Sequence, residues 1–241
     1  VVAASRIVVA LDLNTAEDAV RLAKRLQPHV GAFKVGLGLL HGAGPGIVTA
    51  LVDLGRPVFA DAKLHDIPTQ VEGAARRLGR LGARWLTAHV SGGGEMLRAA
   101  VAGVADGSGG HAGILGVTVL TSLDQETLTT LGVTTTPGKL VSKMSRVAAE
   151  SGCEGIVCSP QELTVVGAVA PELTRFTPGV RPEGVAAGDQ RRVMTPAEAV
   201  RRGADWLVVG RPITAAEDPV AAAASLAAEA AAATDNGEDA I

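Results

Sequence analysis

Residues 57–68 read Pro-Val-Phe-Ala-Asp-Ala-Lys-Leu-His-Asp-Ile-Pro, which sets Asp61, Lys63 and Asp66 at the end of an apolar run. Side chains on a β-strand alternate between faces with a period of two. A strand here puts Phe59, Asp61 and Lys63 on one face and Val58, Ala60 and Ala62 on the other, with the Cα atoms of Asp61 and Lys63 roughly 7 Å apart. Burying charge is costly unless it is paired. A structural salt bridge is the plain reading of one such pair, but a third charge at the strand exit favours a reaction centre. Neighbouring carboxylates favour the charged form of a lysine. An ammonium held beside a carboxylate can deliver a proton to a developing carbanion, whereas a lysine Schiff base needs the free amine.

The elements that would hold these residues follow from periodicity. Short β-rich runs at 6–12, 31–36, 57–63, 84–90, 112–120, 153–158, 173–178 and 205–210 alternate with helical patterns. The first helix has Thr15 or Asn14 as its cap, then Ala16, Ala19, Val20, Ala23 and Leu26 at helical spacing. The spacing predicts further helices over 69–81 and 195–203, the latter opened by Thr195-Pro196, and an Ala-rich closing helix over about 217–234. Eight strand–helix units predict an α/β fold, a (β/α)8 TIM barrel, as one domain over 1–241 with 235–241 a polar, frayed tail. The competitor, a doubly wound open sheet, lacks support, since no Gly-x-Gly-x-x-Gly follows the first strand.

Composition narrows the function classes. The chain has 241 residues, a formal charge of −3 and 47% hydrophobic residues, enough for one large core. No basic tract or aromatic ladder suggests nucleic acid, and no apolar run reaches the ~18 residues of a membrane span. No secretory signal pattern is visible, so a cytoplasmic protein is expected. Cys153 and Cys158 lie five residues apart. On one strand they would occupy opposite faces roughly 16 Å apart, so free core thiols are expected rather than a disulfide.

The remaining unusual polar residues fall at strand ends. Asp12 ends the first strand, Lys34 lies near the end of the second, and His89 ends the fourth. Thr121-Ser122 follow the fifth, Pro178-Gly-Val-Arg181 the seventh and Gly210-Arg211 the eighth. In this barrel the carboxyl ends of the strands build the active site, and the loops after strands seven and eight commonly hold phosphate. Backbone N–H groups beside glycine, with Arg181 and Arg211, suit a phosphate dianion.

Taken in order, these pieces resemble the bacterial-type orotidine 5′-phosphate decarboxylase family over nearly the whole chain. The matching segments are Val-Ala-Leu-Asp12, Phe-Lys34-Val-Gly, Asp61-Ala-Lys63-Leu-His-Asp66-Ile-Pro and Val-Thr-Val-Leu-Thr121-Ser122. They continue with Val-Cys-Ser-Pro, Thr-Pro-Gly-Val-Arg181-Pro, Gly-Asp-Gln190-Arg-Arg and Val-Val-Gly210-Arg211-Pro-Ile. The resemblance implies cofactor-free, metal-free decarboxylation of orotidine 5′-phosphate to uridine 5′-phosphate. It makes Lys63 the proton donor to C6 and sets Asp61 near the departing carboxylate, with Lys34 and Asp66 completing the catalytic charges. Asp12 and Lys34 would contact the ribose, and Thr121 the pyrimidine. Arg181, Gln190, Gly210 and Arg211 would hold the phosphate, with Gln190 on a closing loop at 179–190, and Pro178 joins the substrate contacts. A homodimer is implied, in which Asp66 and Ile67 reach the neighbouring subunit's site; Thr69 joins the substrate contacts.

The histidines are read more plainly. His65 lies inside the motif but needs no proton-transfer role, because the lysine supplies the acid. His89 is expected to be a hydrogen-bonded structural residue, and His29, His41 and His111 surface or loop residues. Arg191 and Arg192 would solvate their loop. Ala62 is small where family members often carry a larger residue, and it should face the helices. The chain has no tyrosine, so any phosphate contact made by tyrosine elsewhere falls to Arg181 or backbone. Two rivals are a Mg2+-dependent sugar-phosphate decarboxylase or aldolase on the same barrel, and a non-catalytic nucleotide-phosphate binding barrel. The first shares an acidic-x-Lys-x-x-Asp motif; the second has no need for Lys63 with Asp61.

Overall fold

In the computed structural model, residues 5–182 and 194–235 are described. Eight strands alternate with helices. They are β1 (Ile7–Ala10), β2 (Ala32–Val35), β3 (Val58–Leu64), β4 (Trp85–His89), β5 (Gly113–Val117), β6 (Gly155–Val157), β7 (Thr174–Pro178) and β8 (Trp206–Val209). Every neighbouring pair is parallel, and β8 pairs with β1 to close the barrel. Around it run α1 (Ala16–Leu26), α2 (Leu37–Gly42), α3 (Gly46–Val52), α4 (Pro68–Arg80), α5 (Gly93–Ser108) and α6 (Gln125–Thr130). The series ends with α7 (Pro137–Glu150), α8 (Leu163–Val169), α9 (Pro196–Arg201), α10 (Arg211–Thr214) and α11 (Pro219–Asp235). The (β/α)8 barrel expected from the alternation is the fold observed.

The helix ends follow from local chemistry. Thr15 caps α1, its Oγ1 accepting from the Asp18 N–H at 3.1 Å. Glu17 and Asp18 occupy the first turn and Lys24 and Arg25 the last, each complementing the helix dipole. Ala19, Ala23 and Leu26 form the buried stripe. Thr195 caps α9 in the same way, with Pro196 at the first turn. That helix stops at Arg201, two residues short of the expected 203, because Gly203 turns the chain at φ 96°.

The core has two layers. Outward-facing strand residues such as Val9, Phe33, Val35, Ala60 and Leu86 pack against the helices. Inward-facing Val8, Ala10, Ala32, Phe59, Trp85, Leu115, Phe176 and Val208 fill the barrel. At the floor Phe176 lies 5.0 Å from Trp85 and 5.9 Å from Trp206, and the two indoles are 5.3 Å apart. Glu154 accepts two hydrogen bonds from Arg84, at 2.6 and 2.7 Å, and one from the Trp85 indole at 2.9 Å. Gly113 leaves room for this carboxylate, since a Cβ there would meet the Glu154 side chain.

Two expectations change in detail. The strand expected over 153–158 is only Gly155–Val157. Cys153 instead belongs to the turn leaving α7, its N–H donating to the Ala148 carbonyl. Both thiols then sit in the barrel–helix layer rather than on opposite strand faces, and both are free and buried. Burial pushes the Cys153 thiol up to about 12 and Cys158 higher still, so neither is a ready thiolate. The strand expected to run to 120 ends at Val117, which leaves Thr118 to Thr121 as mouth residues. The tail beyond 235 lies outside the described residues.

Candidate active site

The charged cluster is assembled by the ends of three adjacent strands. Lys34 stands opposite Ala10 of β1 and Phe59 of β3 in the ladder. Its Nζ lies 3.2 Å from Asp12 Oδ1 and 3.5 Å from Asp61 Oδ2. The Lys63 ammonium donates to Asp61 Oδ1 at 2.6 Å. Asp12, Lys34, Asp61 and Lys63 thus form an alternating chain of anion, cation, anion and cation. Lys34 is 10% and Asp61 13% exposed at the side chain, while Asp12 opens to solvent at 62%. Burial alone would push the Asp61 carboxyl up. Lys34 and Lys63, with hydrogen bonds from Lys63 and Thr87, outweigh it and hold Asp61 below the usual carboxylate range.

The strand that delivers this pair is not regular. Phe59 and Ala60 pair with Trp85 and Leu86, but the next partnership is Leu64 with Ala88. Asp61, Ala62 and Lys63 therefore stand opposite Thr87 alone. Within the bulge Lys63 adopts φ 46°, the sole non-glycine residue at positive φ among the described residues. Such a conformation costs about 1–3 kcal/mol and persists where the surroundings enforce it. The ladder is broken there, yet the expected faces hold: Phe59, Asp61 and Lys63 line the pocket, while Val58, Ala60 and Ala62 pack toward the helices.

A pocket of about 400 Å3 lies over this cluster. Asp12, Lys34, Asp61 and Lys63 line one side, and Pro178, Arg181, Gly210 and Arg211 line another. Thr121 also reaches it. Arg181 is largely buried, and its Nε has no hydrogen-bond partner among the described residues. Burial, then the nearby Arg211 cation, pulls its pKa below the ordinary guanidinium value. Met194 donates to the Gly179 carbonyl and accepts from the Arg181 N–H, so both flanks of 183–193 meet at the pocket rim. Gln190, Arg191 and Arg192 lie outside the described residues.

Three predicted residues do not line the pocket. Asp66, Ile67 and Thr69 are exposed at the start of α4, with the Ile67 N–H donating to Asp66 Oδ1 at 2.6 Å. His89 lies with its ring 5.4 Å from that of His65. Among the described residues its ring makes no hydrogen bond, so the expected hydrogen-bonded role becomes ring packing. Burial, with His65 and Lys63 nearby, lowers its pKa against the pull of Asp61. His41 and His111 are exposed and His29 is half-buried.

Sequence reading passed over Val157, Cys158, Leu120 and Thr214, which join the lining, and Thr87, which touches the cluster from below. A hydroxyl in the apolar run Trp-Leu-Thr-Ala-His was the available signal for Thr87. Among the described residues, no group of three or more His, Cys, Asp or Glu is arranged to hold a metal ion. No helix there is long and apolar enough to cross a membrane.

The sequence pattern of the Orotidine 5′-phosphate decarboxylase / HUMPS family matches residues 5–226. The chain belongs to this family. Orotidine 5′-phosphate decarboxylase of Anaeromyxobacter sp. (strain K) is 51% identical over 224 residues, covering 92% of this chain and 97% of that one. Its counterpart from Moorella thermoacetica is 48% identical over 233 residues, covering 94% and 92%. The crystal structure of orotidine 5′-phosphate decarboxylase from Lactobacillus acidophilus superposes with a TM-score of 0.83 at 33% identity, over 94% of this chain and 99% of that one. The family resemblance in the motifs therefore extends through the whole barrel, the segments after β7 and β8 included.

Proposed function

We propose that the chain decarboxylates orotidine 5′-phosphate to uridine 5′-phosphate and CO2 in pyrimidine nucleotide synthesis, with Lys63 as the proton donor. The observation that carries this reading is the Asp12–Lys34–Asp61–Lys63 charge chain facing a pocket whose other end holds Arg181 and Arg211. The C6–carboxylate bond breaks heterolytically, CO2 leaves, and the electron pair stays on C6. A proton from the Lys63 ammonium then forms the C6–H bond, and the amine regains a proton from solvent. The fixed ammonium groups of Lys34 and Lys63 stabilise the developing carbanion by their charge, in place of an electron sink. Asp61, held ionised, keeps Lys63 oriented and sits where the departing carboxylate would feel its charge.

The phosphate is remote from the reacting carbon. Its attraction to Arg181, Arg211 and the Gly210 backbone anchors the nucleotide, and closure by the loop carrying Gln190 would exclude water. Pro178 and Thr121 flank the base, and Asp12 with Lys34 suits the ribose hydroxyls. Asp66, Ile67 and Thr69 act on the site of a second copy in a homodimer. Their exposure supports this, as does Ile67, a large apolar residue 62% exposed at the start of α4. The chain is one catalytic domain, supported by a barrel that closes only through β8. Two free, buried thiols are in keeping with a cytoplasmic enzyme.

The test follows absorbance of orotidine 5′-phosphate with the purified protein, with and without EDTA. Loss of the orotate chromophore that EDTA leaves unchanged, and that Lys63→Ala abolishes, supports the reading. EDTA-sensitive turnover of a sugar phosphate instead would overturn it, as would tight uridine 5′-phosphate binding with no turnover.

A further inference from the structure

Thr87 is fully buried inside the barrel wall, and its hydroxyl makes two contacts that meet at the charge cluster. Its Oγ1 accepts from the Lys63 backbone N–H at 2.8 Å. It also lies 2.9 Å from Asp61 Oδ1. A hydroxyl has one proton to give. The amide of Lys63 can only donate and the ionised Asp61 can only accept, so the hydroxyl proton points at Asp61.

The bulge explains why a hydroxyl is needed there. Asp61, Ala62 and Lys63 face a single residue of β4. Between the Ala60–Leu86 and Leu64–Ala88 pairs, the β3 backbone loses its regular ladder partners. An unpaired buried N–H costs free energy comparable to a lost hydrogen bond. The Thr87 side chain takes the Lys63 N–H that the ladder drops, at the residue whose backbone is left-handed. The same oxygen fixes Asp61 Oδ1, the atom that also receives the Lys63 ammonium, and leaves Oδ2 toward Lys34.

We propose that Thr87 is a positioning residue for decarboxylation, one hydroxyl that holds both the Lys63 backbone and the Asp61 carboxylate in register. This rests on the decarboxylase reading above. Without the hydroxyl, the carboxylate can rotate about its last bond and the Lys63 turn can relax. Either movement displaces the ammonium from C6 while the phosphate end, on β7 and β8, stays as it is. A displacement on the order of 1 Å costs roughly 100-fold in rate.

The test compares Thr87→Val, Thr87→Ser and the unaltered protein. Thr87→Val keeps the shape and is expected to lower kcat about 10- to 100-fold. Its affinity for uridine 5′-phosphate should stay within about twofold, and Thr87→Ser should restore most of the rate. An unchanged kcat in Thr87→Val overturns the proposal, and so does a Thr87→Ser variant equally impaired. If Thr87→Val does not fold, Thr87→Cys, with a weak donor of similar size, takes its place under the same criteria. A second readout is independent of turnover: 13C NMR titration of the Asp61 carboxyl, which should move up in pKa in Thr87→Val. An unmoved titration overturns the link between the two residues. A moved titration in a protein that leaves orotidine 5′-phosphate untouched would uphold the link and reject the decarboxylase reading alone.

Discussion

The Lys63 ammonium lies 2.6 Å from Asp61 Oδ1 although the two residues belong to one strand and flank a single alanine. The bulge and the left-handed turn at Lys63 accompany that contact. The ammonium is therefore presented at the pocket with an anion behind it. On the proposed reading, Lys63→Ala removes the proton donor and leaves Arg181 and Arg211 in place. Turnover should fall by at least about 10²–10⁴-fold, the usual contribution of a placed proton donor. Uridine 5′-phosphate should still bind; calorimetry beside the rate measurement checks both, and wild-type-like turnover would refute the role of Lys63.

Asp61 also links acidity to stability. Its folded-state pKa lies below the unfolded value of 3.8. The stabilisation is therefore fully present above that value and fades as pH falls through the lower folded one. Asp61→Asn leaves Lys63 without its partner and Lys34 with Asp12 alone. The variant should lose roughly 1–3 kcal/mol near neutrality. Its deficit against the parent should shrink below about pH 4. Denaturant melts from pH 7 to pH 2.5 read this directly, and a deficit constant across that range would contradict it.

At the other end of the pocket, Arg211→Ala should weaken binding of the phosphorylated nucleotide by about 10- to 100-fold, as expected for a charge-assisted contact. With orotidine lacking the phosphate, the same substitution should have little effect. Equal deficits on the two substrates would mean that Arg211 does something other than hold phosphate.

The thiols offer a test of packing. Cys153, pushed up to about 12, and the still higher Cys158 are both buried. Ellman's reagent at pH 8 should label neither over minutes in the native protein, and both after denaturation. Rapid labelling of Cys158, which lines the pocket, would show that its wall opens. Slowing by uridine 5′-phosphate would locate that opening at the mouth.

Helices α4 and α5 approach closely because α5 carries Gly103 and Gly107. A Cβ at Gly103 would press into the Glu72 carbonyl, and one at Gly107 into that of Arg76. Gly79 of α4 meets Val104 in the same contact. Backbone against backbone leaves nothing flexible to yield, so Gly103→Ala should cost about 1–3 kcal/mol by overpacking. Thermal unfolding checks this. Because Asp66 and Ile67 lead directly into α4, the variant should lose activity at temperatures where it is still folded.

The eight strands and the barrel were legible because each strand is a short apolar run followed by an amphipathic helix. Asp12, Lys34, Asp61 and Lys63 stood out as charges at strand ends, and Arg181 and Arg211 as cations beside glycines. Thr87 did not stand out. Its role depends on which three residues of β3 face it, and register across strands is written in no local pattern. The turn at Lys63 was hidden for the same reason: Asp, Ala and Lys weaken a strand but do not mark where its backbone turns left-handed. Cys158 was read as plain core, yet it follows directly on β6 at the pocket wall, a place known only once the strand's length is known.

The aromatic floor gives the molecule an optical signature. Its two tryptophans, in a chain without tyrosine, meet across the barrel from β4 and from β8, the last strand. Trp206 reaches Trp85 only when the end of the chain has docked beside β1. Indoles whose centroids lie 5.3 Å apart at 61° couple their strong far-ultraviolet transitions into a circular dichroism couplet that separated ones lack. That signal reports ring closure itself, and neither indole lines the pocket at the mouth. Closure of the barrel and occupancy of its mouth can thus be followed separately in one cuvette.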